Sequence, residues 1–185
     1  MTTAQQDVID TLLGQHQQVK MLFAQVESAD GEHRQELFTE LVATLALHEG
    51  AEQLLVHPLA EKALPDGPQV VPARIAEEQD AKQALSALYE LGVSAPEFEV
   101  QLAALRDAVA AHAEAEEELE FLRLREITDP GELARMANVV GNAQALLAQH
   151  SAAGPAPSPL AGHPDQVFDR VGDLLGQADG SEVGR

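Results

Sequence analysis

Two pentapeptides of one form stand out in the sequence, His48-Glu49-Gly50-Ala51-Glu52 and His112-Ala113-Glu114-Ala115-Glu116. In each, an imidazole and a carboxylate lie four residues apart, a spacing that stacks them on one face of an α-helix, one turn above the other. The apolar residues around them step by three and four. Phe38, Leu41 and Leu45 lead to His48, Glu52 and Leu55, while Phe98, Leu102, Leu105 and Val109 lead to His112, Glu116 and Leu119. Such a stripe is the core seam of a helix bundle, where an unpaired carboxylate costs several kcal/mol. Imidazoles and carboxylates that converge in a bundle core form a ligand set for a pair of metal ions, and iron is the usual occupant of such mixed nitrogen and oxygen sites.

The elements that must position these groups follow from caps and breakers. Thr3 with Gln6 can cap a first helix over about 4–28, with the stripe Ile9, Leu12, His16, Val19, Phe23, Val26. Asp30-Gly31 ends it, and a second helix runs over about 32–56 until His57-Pro58 disturbs its end. After the loop Leu64-Pro65-Asp66-Gly67-Pro68, a third helix enters near Pro72 and closes at Gly92, with the stripe Val71, Ile75, Glu78, Lys82, Leu85, Tyr89. Ser94 caps a fourth over about 96–126, and Thr128-Asp129-Pro130 opens a fifth to about 149. The weaker stripe of that fifth helix, Leu133, Ala137, Val140, Gln144 and Leu147, holds no ligand pair and places it outside the bundle. The chain therefore divides into a helical bundle over 1–150 and, over 151–185, a connector rich in Pro, Ala and Gly with a short amphipathic piece at about 165–175 and a frayed tail.

Collected from the seams, the candidate ligands are His16, His48, Glu52, Glu78, His112 and Glu116. Three imidazoles and three carboxylates suit two irons, with Glu52 and Glu116 placed to bridge because each shares its helix with a histidine. Glu78 has a duller alternative, a simple helix ion pair with Lys82 four residues on, and Glu49 is then the competing carboxylate. His57 and Tyr89 stand as supporting groups around the metals or as packing. His33, His150 and His163 fall in turn or linker contexts, and the acidic run Glu116-Glu117-Glu118 with Glu120 otherwise reads as a solvated face.

Composition bounds the rest. With 45% apolar and 3% aromatic residues the chain suits an all-α domain packed by Ala, Leu and Val, and no sheet is indicated. The net charge of −20 repels phosphate backbones and anionic lipid, which argues against nucleic acid and membranes as partners. Without cysteine, a metal must be held by His, Glu and Asp. The N-terminus lacks the basic and apolar regions of a signal peptide and no 18-residue apolar run occurs, so the expected location is cytoplasmic.

Taken together, the seam histidine of helix one, His48-Glu49-Gly50-Ala51-Glu52 followed by His57-Pro58, and His112 to Glu117 followed by Leu119 and Phe121 resemble the hemerythrin-like, or HHE cation-binding, domain family. The resemblance implies an antiparallel four-helix bundle around a non-haem di-iron centre, here with an additional C-terminal helix and a Pro-rich tail. It also implies oxygen binding, sensing of oxygen or nitric oxide, iron handling, or the chemistry of oxidative stress. This sequence departs from the family pattern in helix three, where Glu77-Glu78 replaces Glu-His and Lys82 stands at the next turn. A more anionic ligand set favours the ferric state, which argues against reversible oxygen carriage and for redox turnover. The function so expected is a di-iron protein that reacts with or senses oxygen, peroxide or nitric oxide. Its most concrete form is peroxide disproportionation, with Glu78 or Tyr89 handling protons. A non-catalytic iron-binding or sensor module that signals through its C-terminal segment is the alternative.

Overall fold

The computed structural model describes residues 6–152 and 162–180, and no strand occurs among them. Four antiparallel rods form the bundle. They are α1 (Val8–Ser28); α2 (Gly31–Ala51), which continues through a π-helical turn (Glu52–Val56) into α3 (His57–Ala63); α4 (Gly67–Leu91); and α5 (Phe98–Glu116), which continues through a second π-helical turn (Glu117–Phe121) into α6 (Leu122–Ile127). Two further helices, α7 (Pro130–Ala152) and α8 (Pro164–Asp179), complete the chain. No helix among the described residues is long and apolar enough to cross a membrane.

The start of α1 differs from the Thr3 cap expected above, since Thr3 lies outside the described residues and Gln6 precedes the helix. Asp7 is the cap instead: its carboxylate accepts from the Asp10 backbone, and the Asp10 side chain returns the bond. All six residues of the α1 stripe are buried, as are all six of the α2 stripe, so the first two rods present the seams that their spacing requires.

The other two rods depart from simple 3-4 spacing for identifiable reasons. α4 starts at Gly67 rather than Pro72, because Pro68 fills the first turn where no amide bond is needed; Pro72 lies inside, and Val71 is helical and buried. Gly67 itself is dictated by the tight α3–α4 corner, where a Cβ would stand 2.2 Å from the Ala60 carbonyl oxygen. The inward face of α4 is Val71, Glu78, Ala81, Leu85 and Leu88, while Ile75 and Tyr89 are largely exposed. Ser94 does not cap α5, which begins after Glu97 without a side-chain cap. In that rod Leu119 is half exposed, and the π-helical turn brings Glu120 and Phe121 inward in its place.

The C-terminal helices do more than trail from the bundle. α7 lies outside the four rods against α1, with Met136, Val139, Val140, Ala143 and Leu147 buried and Gln144 outside. α8 is a full 16-residue helix rather than a short piece with a frayed end. It seats Val167, Val171 and Leu175 in the core against α2, α7 and α4, with Leu175 against Gly50. Beyond α7, the connector residues 153–161 and the last five lie outside the described residues, as do residues 1–5 at the other end.

Candidate metal centre

The six residues singled out above come together in the bundle core as two overlapping groups. One is His16, His48, Glu52 and Glu116; the other is Glu52, Glu78, His112 and Glu116. Within each group one potential ligand atom per residue lies within 4.8 Å of the others, and Glu52 and Glu116 belong to both. All six side chains are largely withdrawn from solvent, His112 least so at 10% side-chain exposure.

The histidines are oriented by outward hydrogen bonds. His48 donates from Nδ1 to Gln15 Oε1 at 3.1 Å, His16 from Nδ1 to Glu117 at 2.8 Å, and His112 from Nδ1 to Glu77 at 2.8 Å. These acceptors fix the tautomer, so each ring presents Nε2 to the centre with a lone pair available when neutral. Their inward nitrogens crowd together with the carboxylates. His16 Nε2 and His48 Nε2 face one another at 3.0 Å, and His112 Nε2 approaches Glu116 at 3.3 Å. Both carboxylate oxygens of Glu52, both of Glu116, and His112 Nε2 are buried without a hydrogen bond. Five orphaned polar atoms at one point would cost several kcal/mol, and a cation between them would satisfy them all. The donor set therefore fits hard or borderline divalent or trivalent metal ions.

The electrostatics carry the same message. Burial, reinforced by Glu116, Glu78 and Glu49, pushes the Glu52 carboxyl well above its ordinary range, and burial with Glu78 does the same to Glu49. Burial and the neighbouring His16 push His48 down to about 3. For His112 burial acts downward, but Glu116 and Glu77 outweigh it and raise the group to about 9. Burial would raise Glu116 too, yet the close approach of the His112 and His16 imidazoles and the charge of His112 and His48 hold it well below the carboxylate range.

Glu78 is not the surface partner of Lys82. It is buried, accepts from Gln53 Nε2 at 2.5 Å, and lies 2.5 Å from His57 Nε2. Lys82 turns instead to Asp165 of α8 at 3.7 Å and lies over the Phe168 ring. Tyr89, three turns further along α4 and exposed, packs on His163 and stands apart from the centre, which removes it from proton handling there. Glu49 is buried beside the centre but belongs to neither ligand group.

Sequence spacing missed several supporting residues. Gln15 is legible in hindsight, since Leu12, Gln15 and Val19 continue a 3-4 seam. Gln53, the burial of Glu120 beside Arg74 at 3.5 Å, and the stacking of Phe121 on His16 with ring centroids 5.6 Å apart depend on the π-helical turns and left no periodic signal.

An antiparallel helical bundle whose core holds paired His-x-x-x-Glu elements from facing rods is the architecture of a cation-binding helical protein. The Hemerythrin HHE cation binding domain model matches residues 7–124, and the chain belongs to that family. Among solved structures, a Hemerythrin HHE cation binding domain-containing protein from Mycobacterium kansasii is similar with a TM-score of 0.64 at 24% identity, over 90% of this chain and 99% of that one. That coverage extends beyond the family match into the C-terminal helices. No curated protein matches.

Proposed function

We propose that the chain holds two iron ions at this centre and that the loaded protein reacts with hydrogen peroxide, disproportionating it. The observation that carries this reading is the sharing of Glu52 and Glu116 by the two ligand groups, which suits a pair of adjacent cations rather than one. His16 and His48 serve one position, and His112 with Glu78 the other. Two irons held in this way would together supply the two electrons that reduce one peroxide to two waters and take two back from a second peroxide, which leaves as dioxygen with its O–O bond intact.

The chain's own residues set the conditions for that chemistry. Gln15, Glu117 and Glu77 hold the three imidazoles with Nε2 inward, and Gln53 and His57 fix the Glu78 carboxylate from both sides. The bundle core excludes bulk water from Glu52 and Glu116, while a cavity that reaches His16, His48, Glu49 and His112 keeps access to the centre. The carboxylate at position 78 adds negative charge, which favours ferric iron and turnover over reversible oxygen carriage.

The alternative is a sensor of oxygen, peroxide or nitric oxide without turnover, and the seating of α8 favours it. The Lys82–Asp165 pair and Leu175 against Gly50 join that helix to the segments bearing Glu78 and His48. Addition of excess hydrogen peroxide to iron-loaded protein separates the two. Catalytic release of oxygen is the expected result; bleaching of the iron absorption once, in stoichiometric amount, would mean the sensor.

A further inference from the structure

A cavity of about 740 Å³ runs from the centre between α1, α2, α4 and α5. Its inner end is formed by His16, His48, Glu49, Glu78 and His112. Away from that end it is walled by Val19 and Phe23 of α1, Leu45 of α2, and Leu105 and Val109 of α5, and the small side chains Ala81, Ala84, Ala104 and Ala108 keep it open. Hydrogen peroxide or a diatomic molecule needs little more than the roughly 30 Å³ of one water. Cavities of roughly 300–1,000 Å³, mostly apolar and with a few polar groups at one point, are sites for organic molecules.

A second observation says what the head of such a molecule must be. Glu49 is 4% exposed, lines the cavity, and has no hydrogen-bond partner among the described residues. Its carboxyl faces the open space of the cavity, where a hydrogen-bonding group on a ligand would find a partner. In the metal-free chain the inner end also carries Glu78 with Glu116 behind it, which disfavours an anionic head there and leaves a neutral one admitted.

We propose that the cavity binds an alkyl hydroperoxide, with its neutral O–O–H end hydrogen-bonded to Glu49 beside His48 and His112 and its alkyl chain along the alanine-lined wall. The substrate assignment rests on the peroxide reading of the centre, with the hydroperoxide reduced to the alcohol and water while hydrogen peroxide, the two-electron donor, is oxidised to dioxygen (ROOH + H2O2 → ROH + H2O + O2); the binding mode rests on the cavity alone.

Alkyl alcohols share the neutral hydroxyl head and the chain but not the reactive bond, so they test binding without turnover. Calorimetric titration of the full-length protein, iron-loaded and metal-free, with ethanol, 1-butanol, 1-hexanol and 1-octanol is expected to show affinity rising about fourfold for each methylene buried. With the metal-free protein, octanoate, with the same chain and an anionic head, is expected to bind at least tenfold more weakly than 1-octanol. The substitutions Ala84→Leu and Ala108→Leu together should abolish the gain from butanol to octanol; Ala108 is exposed, so this helix tolerates leucine, and a thermal melt verifies folding. A flat chain-length series, octanoate binding as well as octanol, or a series untouched by the leucines overturns the inference. Should iron-loaded protein consume hydrogen peroxide while binding no alcohol, the inference fails and the reading of the centre stands. Should the alcohols bind as described to a chain that takes up no iron, the reading of the centre fails and the hydroperoxide assignment falls with it.

Discussion

The two His-x-x-x-Glu rods are near copies in sequence and unlike in setting. In each, the glutamate is followed by a π-helical turn, which adds one residue to the local repeat, so that the inward position passes from i+4 to i+5. After Glu52 that residue is His57, which reaches Glu78; after Glu116 it is Phe121, which stacks on His16. One rod thus supplies a polar brace for a carboxylate and the other an apolar brace for an imidazole. Their surroundings differ as well, because α8 packs on α2 and leaves α5 uncovered, with the side chain of His48 4% exposed against 10% for His112. The α2–α3 rod is the more sealed side of the centre, and the α5–α6 rod the more open one.

Removing the seal should break this asymmetry with the largest effect. Truncation after residue 152 deletes the helix that buries Val167, Val171 and Leu175. At about 1.5–3 kcal/mol for each such side chain, the loss of stability should be on the order of 5 kcal/mol, measured by denaturant unfolding. Hydrogen exchange should rise along α2 around Gly50 and change little along α5. Equal exchange in the two rods would show that α8 is an appendage.

A smaller effect tests the braces. His57→Gln takes the imidazole from Glu78 while leaving Gln53 in place, and should weaken metal binding about 10–100-fold, the usual cost of losing a group that holds a ligand. Phe121→Leu removes only a ring stacked on His16 and should weaken it less. Competition with a chelator measures both, and the reverse order would mean that the apolar brace is the stronger one.

What the sequence disclosed and what it withheld divide along the same line. Regular α-helix is legible from spacing, so His16 and His48 on the straight rods α1 and α2, and Glu52 at the first residue after α2, fall where a 3-4 stripe puts them. The stripe fails at Leu119 because the π-helical turn rotates everything beyond Glu116, and for the same reason His57 and Glu120 turn inward without a periodic signal. Tyr89 and Ile75 fail for a different reason: the face that α4 buries is set by its neighbours α5 and α8, and no local pattern encodes a partner brought in from residues 164–179. Thr3 and Asp7 are both residue types that cap helices, and what favours Asp7 acts at long range: Arg125 of α6 binds both Asp7 and Asp10.

That clamp yields the smallest effect, on the rod that carries His16. Burial would raise the Asp7 carboxyl, but the bonds from Arg125 and the Asp10 backbone and the Arg125 charge outweigh it and leave the group below its ordinary 3.8. A lowered carboxyl stabilises the fold fully above 3.8, and the contribution disappears as pH falls through the folded-state value. Asp7→Ala should therefore cost about 1 kcal/mol at neutral pH and flatten the fall in stability below pH 4. A fall as steep in the variant as in the parent protein would place the acid sensitivity elsewhere.

The central claim is that Glu52 and Glu116 are shared by two cations, and metal stoichiometry tests it most directly. Full-length protein loaded anaerobically with ferrous iron, desalted and analysed for metal should hold two irons per chain, and Glu52→Ala with Glu116→Ala should hold none. A parent protein that binds one iron, or a double variant that still binds two, would contradict the shared centre.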